Sequence, residues 1–301
     1  MLRLRCRSII GPVKARAAGK ALLRILVLLS AIAALMLLFE RRLIYFPQRT
    51  LDLTPQALGL ASEELALRTE DGVRLHGWFL PVTGSRLTLL VCHGNGGNVS
   101  HRLDRALLAH AQLGTDVLLF DYRGYGRSEG SPDEEGTYRD ARAAWRWLLA
   151  RGQPPGRIVI FGESLGSAVA LQLALDSEGA RALVLESPFA SIPEMARALY
   201  PFLPVWPLVR TRYDNLAKVG RLHLPLLVLH GERDDVVPFA QGRRVFEAAP
   251  QPKRFYAIPG ASHNDTYLAG GEAYWRVLRE FLRETAPGPP ASSSPSDAGK
   301  G

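Results

Sequence analysis

Short apolar runs recur through the middle of the chain, each bounded by turn residues and separated by longer amphipathic stretches. Apolar runs of this kind suit strands that are buried on both faces of a parallel sheet. The stretches between them carry apolar residues at helical spacing. Strand and helix in repetition predict a doubly wound α/β domain, with helices flanking a mostly parallel sheet. The predicted strands are 87–91, 117–120, 157–161, 183–185, 226–229 and 254–258, and the predicted helices are 102–113, 138–150, 165–175 and 272–284.

Two further features frame this alternation. Ahead of it, residues 64–68 and 73–80 read as two strands joined by a tight turn around Gly72. Later, residues 188–224 break the rhythm with prolines set among aromatic residues. Such a segment is either a packed connection or a small cap inserted over the sheet, and we favour a cap that shapes a substrate site.

The beginning of the chain has a different pattern. Residues 21–39 are apolar apart from Arg24 and Ser30, and the Arg24 side chain can reach back to lipid headgroups. Their length is close to the roughly 20 residues that a transmembrane helix needs. A cleaved signal peptide and a buried core helix share this pattern, but no small-x-small cleavage site follows. We therefore expect an uncleaved signal-anchor helix.

Charge is concentrated ahead of this helix, where residues 1–20 are basic. The net charge is +8, but residues 1–39 hold seven basic and no acidic residues, which leaves about +1 for the rest. The positive-inside rule places the N-terminus in the cytoplasm and the domain of residues 43–285 on the other side, as in a bacterial inner-membrane protein facing the periplasm. A nearly neutral domain gives no indication of a basic patch for nucleic acid, so we expect no nucleic-acid partner. The tail, residues 286–301, is rich in Pro, Ser and Gly and is predicted to be disordered.

The spacing of cysteines and histidines indicates neither a disulfide framework nor a metal site. Cys6 and Cys92 are too few for a disulfide framework, and they flank the apolar helix. No CxxC or His-rich spacing indicates a metal site, so we expect neither a metal nor an organic cofactor.

The motif G-x-S-x-G occurs twice, around Ser128 and around Ser164. A nucleophile elbow needs a strand directly before it, a helix directly after it and small flanking residues, because its turn lifts the hydroxyl out of the sheet. Ser164 meets all three demands. Ser128 lies in a loop beyond its strand and before a helix-start signal at residues 131–133. Ser164 is therefore the predicted nucleophile.

A serine hydroxyl becomes a good nucleophile only when a base takes its proton, and in folds with this elbow the chain order is serine, acid, histidine. His230 ends a predicted strand, where a packing role suits it, and His223 lies before that strand. His263 lies in a loop after the last predicted strand, at the sheet edge where ligands bind in α/β folds. His263 is therefore the predicted base.

The acid that orients the base should follow the strand that His230 ends. Asp234 and Asp235 both qualify there and Glu232 is possible, but the pattern G-x-x-D-x-V-V-P favours Asp234. Asp265 is a further rival, yet it is too close to the histidine in sequence to fold back readily onto its ring.

Acyl transfer places negative charge on a carbonyl oxygen, which fixed N–H donors stabilise by about 3 kcal/mol each. One predicted donor is the backbone amide of Leu165, directly after the nucleophile. The other is the amide of Asn95, in the glycine-rich loop 92–98 after the first strand of the series. Phosphate cradling is the alternative use of such glycines, but no Walker lysine follows and the G-x-G-x-x-G fingerprint is missing.

Six segments, each weak alone, combine into one pattern: residues 45–47, 93–98 and 121–126, the Ser164 elbow, the Asp234 loop and residues 260–265. Together they resemble the Bem46-like branch of the α/β-hydrolase superfamily, over residues 43–284. The resemblance implies an α/β-hydrolase fold and a membrane-anchored hydrolase of esters or thioesters, often with lipid-like acyl groups. One departure is Ser167, where relatives commonly have a glycine, but serine is also small.

The leading hypothesis is hydrolysis of a carboxylic ester or thioester through an acyl-enzyme on Ser164. The substrate would be a small molecule or a lipid-like ester near the membrane. Two alternatives stay open: a peptidase acting on short peptides, and a non-catalytic anchored binding protein. The complete triad argues against the binding protein, which has no need of all three groups. The pattern leaves the acyl-chain length and the oligomeric state open.

Overall fold

A computed structural model describes residues 12–203 and 205–285, with side chains from residue 17 onward. The predicted disorder of residues 286–301, the first part of the basic segment 1–20 and Cys6 lie outside the described residues.

Strands and helices alternate along the described chain, as the apolar pattern predicts. The strands are β1 (Phe46–Pro47), β2 (Glu63–Arg68), β3 (Arg74–Leu80), β4 (Thr88–Cys92), β5 (Gly96–Gly97), β6 (Asp116–Phe120), β7 (Ile158–Glu163), β8 (Ala182–Glu186), β9 (Leu226–Gly231) and β10 (Lys253–Ile258). The helices are α1 (Pro12–Leu38), α2 (Glu40–Ile44), α3 (Leu103–Leu113), α4 (Glu134–Ala150), α5 (Leu165–Asp176), α6 (Ile192–Leu199), α7 (Asn215–Val219), α8 (Phe239–Ala248), α9 (Thr266–Ala269) and α10 (Gly271–Glu284).

The central sheet has eight strands in the order β10-β9-β8-β7-β4-β6-β3-β2. The six strands from β10 to β6 are parallel, and β3 and β2 add an antiparallel hairpin at one edge. Buried apolar side chains form a cluster on each face of this sheet, against the flanking helices. The predicted mostly parallel α/β architecture is therefore confirmed. The two-residue strands β1 and β5 pair separately, in parallel.

Helix α4 starts earlier than predicted, and α2, α6, α7, α8 and α9 have no counterpart among the predicted helices. Helix α4 begins at Glu134, four residues before the predicted start, because the Asp133 carboxylate caps it by accepting from the Gly136 N–H at 2.7 Å. Its first turn is polar, so apolar periodicity alone missed that turn. Helix α8 was not predicted because it is only ten residues long and half of these residues are Gln, Gly, Arg or Glu.

Helix α1 stands apart from the sheet. Its segment Ala17–Leu38 is long and apolar enough to cross a membrane, and none of its most apolar window is buried in the described structure. Among the described residues, therefore, this helix is not a core helix, and it fits the predicted anchor by length and composition. Residues 188–224, which we call the cap segment, hold α6, a turn of 3₁₀ helix at Trp206–Leu208 and α7.

Candidate active site

Ser164 lies in a tight turn between β7 and α5. Its backbone has φ 52° and ψ −118°, a left-handed conformation that non-glycine residues rarely adopt. The flanking glycines allow close packing here, since a Cβ on Gly162 would lie 2.4 Å from the Gly166 carbonyl oxygen, and one on Gly166 would lie 2.0 Å from the Cys92 carbonyl oxygen. The local geometry is that of a nucleophile elbow.

The structure brings the side chains of Ser164, His263 and Asp234 together at the carboxyl edge of the sheet. Nε2 of His263 lies 3.0 Å from Oγ of Ser164, and Nδ1 of His263 lies 2.8 Å from Oδ2 of Asp234. Asp234 follows β9 and His263 follows β10, so neighbouring parallel strands deliver both groups to one edge. Ser164 and His263 are each 8% exposed, which leaves the site shielded but reachable.

The rival residues are occupied elsewhere. The buried Ser128 hydroxyl donates to the Asp121 carbonyl and accepts from the His76 N–H, which ties its loop to β3. His230 is buried with Nε2 3.1 Å from the Val237 carbonyl oxygen and 3.4 Å from Oδ2 of Asp234, so it packs against the predicted acid.

Among the rival acids, Asp235 accepts from the Ser262 hydroxyl at 2.8 Å, and Asp265 accepts from the Ser262 backbone N–H at 2.7 Å. These two carboxylates therefore brace the loop before His263. Glu232 and His223 are exposed side chains.

The surroundings shift the pKa values of His263 and Asp234 in opposite directions. Burial lowers the pKa of His263, but the hydrogen bond and charge of Asp234 outweigh it, so the pKa lies above the ordinary 6.5. Burial raises the pKa of Asp234, but hydrogen bonds from His230 and His263 hold it well below its usual range. Asp234 is therefore a permanent carboxylate that stabilises a positive charge on His263.

Two backbone N–H groups are available next to Ser164. Within the described residues, neither the Asn95 nor the Leu165 backbone N–H donates to a protein acceptor. Both residues line the same cavity as Ser164. The Asn95 carbonyl accepts from the Phe46 N–H at 3.0 Å and from the Tyr125 hydroxyl at 2.8 Å, and its side chain donates to the Ile44 carbonyl at 2.9 Å. Residues just beyond the anchor helix thus hold the peptide groups around Asn95.

Sequence reasoning missed a group of partly buried ion pairs beside the elbow. Arg102 Nε lies 3.1 Å from Glu163, and Arg105 lies 2.7 Å from Glu186. Burial raises the pKa of Glu163, but the Arg102 and Arg105 guanidinium groups bring it down to about 2. Glu186 also accepts from the Thr266 hydroxyl, at the start of the helix that follows the His263 loop. These charges fix the loops on either side of Ser164.

Two cavities meet at Ser164, and Asn95 and Val236 also line both. The first, of about 320 Å³, is mostly apolar. The second, of about 380 Å³, is polar and includes His101, Arg102, His263 and Asn264 in its lining. Within the described part of the chain, no cluster of three or more His, Cys, Asp or Glu side chains is placed to hold a metal ion.

Comparison with known proteins identifies the family. A family model described as the alpha/beta hydrolase fold matches residues 88–222. Protein bem46 of Schizosaccharomyces pombe is 34% identical over 84% of this chain and 89% of its own length. An uncharacterized membrane protein of Saccharomyces cerevisiae is 32% identical over 77% of this chain and 83% of its own length.

Among solved structures, an esterase of Pyrococcus furiosus superposes with a TM-score of 0.67 over 81% of this chain and 98% of its own. Its sequence identity is 21%, so this similarity speaks for the fold alone. Sequence and fold agree: the chain belongs to the α/β-hydrolase family, in its Bem46-like branch.

Proposed function

We propose that this protein is a serine hydrolase that cleaves carboxylic ester or thioester bonds through an acyl-enzyme on Ser164. The observation that carries the proposal is the hydrogen-bonded chain from Ser164 through His263 to Asp234, with distances of 3.0 Å and 2.8 Å. Such a chain activates a hydroxyl that is otherwise a poor nucleophile.

The mechanism follows from these positions. His263 takes the Ser164 proton as the hydroxyl oxygen attacks the substrate carbonyl, and Asp234 stabilises the resulting imidazolium. The amides of Asn95 and Leu165 donate to the oxyanion. His263 then returns the proton to the departing alcohol or thiol. In the second half, His263 takes a proton from water, the hydroxide attacks the acyl carbon, and the acid leaves as Ser164 recovers its proton.

The apolar cavity favours esters and thioesters over peptides. Its lining is almost entirely aliphatic and aromatic, with few groups that could pair with peptide N–H and C=O groups. The unused N–H pair and the strained elbow have no purpose in a binding protein. We place the enzyme at a membrane through α1, with its N-terminus in the cytoplasm and its catalytic domain on the opposite side.

A fluorophosphonate probe tests the proposal, since it reacts with activated serines. The full-length protein should be labelled, and Ser164→Ala should not be. Turnover of p-nitrophenyl butyrate should fall by about 10⁴-fold or more in Ser164→Ala and in His263→Ala.

Ser128→Ala is the matched control, because Ser128 lies in the other G-x-S-x-G motif and should leave labelling intact. Folded wild-type protein that takes no label and cleaves no ester would indicate a binding protein instead. Cleavage of short peptides but not esters would indicate a peptidase.

A further inference from the structure

The end of the anchor helix forms part of the apolar cavity at Ser164. Met36 and Leu37, from the last two turns of α1, line it together with Leu43 and Ile44 of α2. An anchor that served only as a tether would have no reason to line the cavity that contains the proposed nucleophile.

Helix α6 of the cap segment forms the opposite wall. Ile192, Met195 and Leu199 face the same cavity from this helix. Ser164 and Leu165 also line it. A cavity between a membrane helix and a cap helix, ending at a nucleophile, has the shape and chemistry for an aliphatic chain.

The junction between α1 and α2 is fastened to the cap segment. The Glu40 carboxylate accepts from the backbone N–H groups of Thr211 at 2.6 Å and Arg210 at 3.2 Å. The Tyr45 hydroxyl lies 3.0 Å from the Tyr213 hydroxyl, and both side chains are buried. The anchor wall therefore has a fixed position relative to Ser164.

The cap segment also exposes large apolar side chains on the same side. Phe202 is 94% exposed and Leu199 55% exposed, with Tyr200 and Leu208 also exposed. Leu199 and Tyr200 belong both to this surface and to the cavity lining. Grouped apolar side chains in water mark an interaction surface. Because the adjoining α1 helix is suited to a bilayer, the occupant that fits this surface is lipid.

We propose that α1 and the cap segment together form an acyl-chain pocket that opens toward the bilayer. The pocket takes up the long acyl chain of a membrane-embedded ester or thioester, so that the carbonyl group reaches Ser164 while the chain stays out of water. The polar cavity on the other side of Ser164 takes the alcohol or thiol part of the substrate. This inference rests on the proposed function and specifies its substrate class. Lysophospholipids and S-acylated peptides both supply this chemistry.

The test uses the full-length protein in phosphatidylcholine vesicles, with p-nitrophenyl butyrate and p-nitrophenyl palmitate as substrates. Leu37→Trp places a larger side chain against the cavity. We expect the ratio of kcat/KM for the palmitate ester to kcat/KM for the butyrate ester to fall by about tenfold or more. Met195→Trp, on the opposite wall, should give the same selective loss.

Leu35→Trp is the matched control, because Leu35 is on the same helix, is 56% exposed and does not line the cavity. It should behave like wild type with both esters. Equal palmitate rates for all three Trp variants and wild type, with butyrate cleaved normally, would overturn the pocket but leave the hydrolase intact. If neither ester is cleaved and no serine is labelled, the proposed function itself fails.

Palmitoyl-lysophosphatidylcholine and an S-palmitoyl peptide in the same vesicles distinguish the two sources. For whichever substrate is cleaved, the cleavage rate should fall in Leu37→Trp and should equal that of wild type in Leu35→Trp. A cleaved natural substrate that ignores Leu37→Trp would contradict the pocket.

Discussion

The imidazole of His263 has to be neutral to accept the Ser164 proton, and its surroundings favour the charged form. Because Asp234 holds the pKa of His263 above 6.5, protonation removes the base while the solution is still near neutral. We expect kcat/KM for a soluble ester to fall as the pH drops, with a midpoint above 6.5. A pH–rate profile with p-nitrophenyl butyrate measures it.

Two neighbouring carboxylates provide the comparison for this profile. Asp234→Asn removes the charge that raises the pKa, so the midpoint should move to lower pH while the rate falls by about 10⁴-fold. Asp235→Asn removes an exposed carboxylate that binds Ser262, and its midpoint should stay in place. A wild-type midpoint well below 6.5, or equal shifts in both variants, would contradict the role given to Asp234.

The sequence could propose Ser164, Asp234 and His263 as a triad because each follows a recognisable strand at one sheet edge. The ion pairs of Arg102 with Glu163 and of Arg105 with Glu186 could not be predicted from the sequence. Glu186 ends β8, and its partners Arg105 and Thr266 come from distant parts of the chain without any local motif. Their meeting depends on how α3 and α9 pack over the sheet, which spacing along one chain does not encode.

The elbow depends on how closely β7, α5 and the end of β4 approach each other. Gly166, in the first turn of α5, packs directly on the Cys92 and His93 carbonyl groups, where a Cβ would lie 2.0 Å from the Cys92 oxygen. Gly166→Ala must push α5 away from the sheet, and we expect a loss of about 3 kcal/mol or more in the free energy of unfolding. Urea denaturation followed by circular dichroism measures it.

Gly156→Ala is a matched substitution in open surroundings, where the nearest atom to a new Cβ is 4.0 Å away. This variant should unfold close to wild type, and it should retain ester turnover. Equal stability of the two alanine variants would show that the elbow tolerates a methyl group and that its tight packing is not required.

Elements with a clear apolar pattern were the ones that sequence predicted, including every strand of the central sheet. Helix α8 and the cap segment were harder for opposite reasons. Helix α8 has only ten residues, half of them Gln, Gly, Arg or Glu, so few apolar positions are available to mark its period. The cap segment is interrupted by prolines, so its helices α6 and α7 are short and owe their positions to tertiary contacts.

The segment just after the anchor helix is bonded to the catalytic domain. The sequence predicted the anchor and the domain separately and did not anticipate this connection. The short strand β1 pairs with β5 in the loop that contains Asn95, and Ile44 and Phe46 bond to Asn95 directly. The segment just after the anchor therefore holds a proposed oxyanion donor in place. A membrane helix recognised by hydropathy alone gives no hint of this connection.

Truncation at two positions distinguishes the effect of the anchor helix from that of the junction, the segment of residues 40–47 that follows it. A chain that starts at Glu40 keeps α2, β1 and their contacts, so its thermal stability and butyrate turnover should match the full-length protein in the same detergent. A chain that starts at Gln48 loses the hydrogen bonds that join Asn95 to Ile44 and Phe46, and it loses the buried Ile44 and Tyr45 side chains. We expect its free energy of unfolding to fall by about 3 kcal/mol or more.

The same shorter chain should also lose butyrate turnover by about 100-fold, because a displaced Asn95 amide no longer faces the developing oxyanion. Butyrate is a suitable substrate here, since it does not need Met36 and Leu37, the part of the acyl-chain wall that both truncations remove. If the chain starting at Gln48 turned over butyrate as fast as the chain starting at Glu40, the junction would be only a linker. A loss of turnover without a loss of stability would instead indicate that the junction acts only by positioning the peptide groups of Asn95.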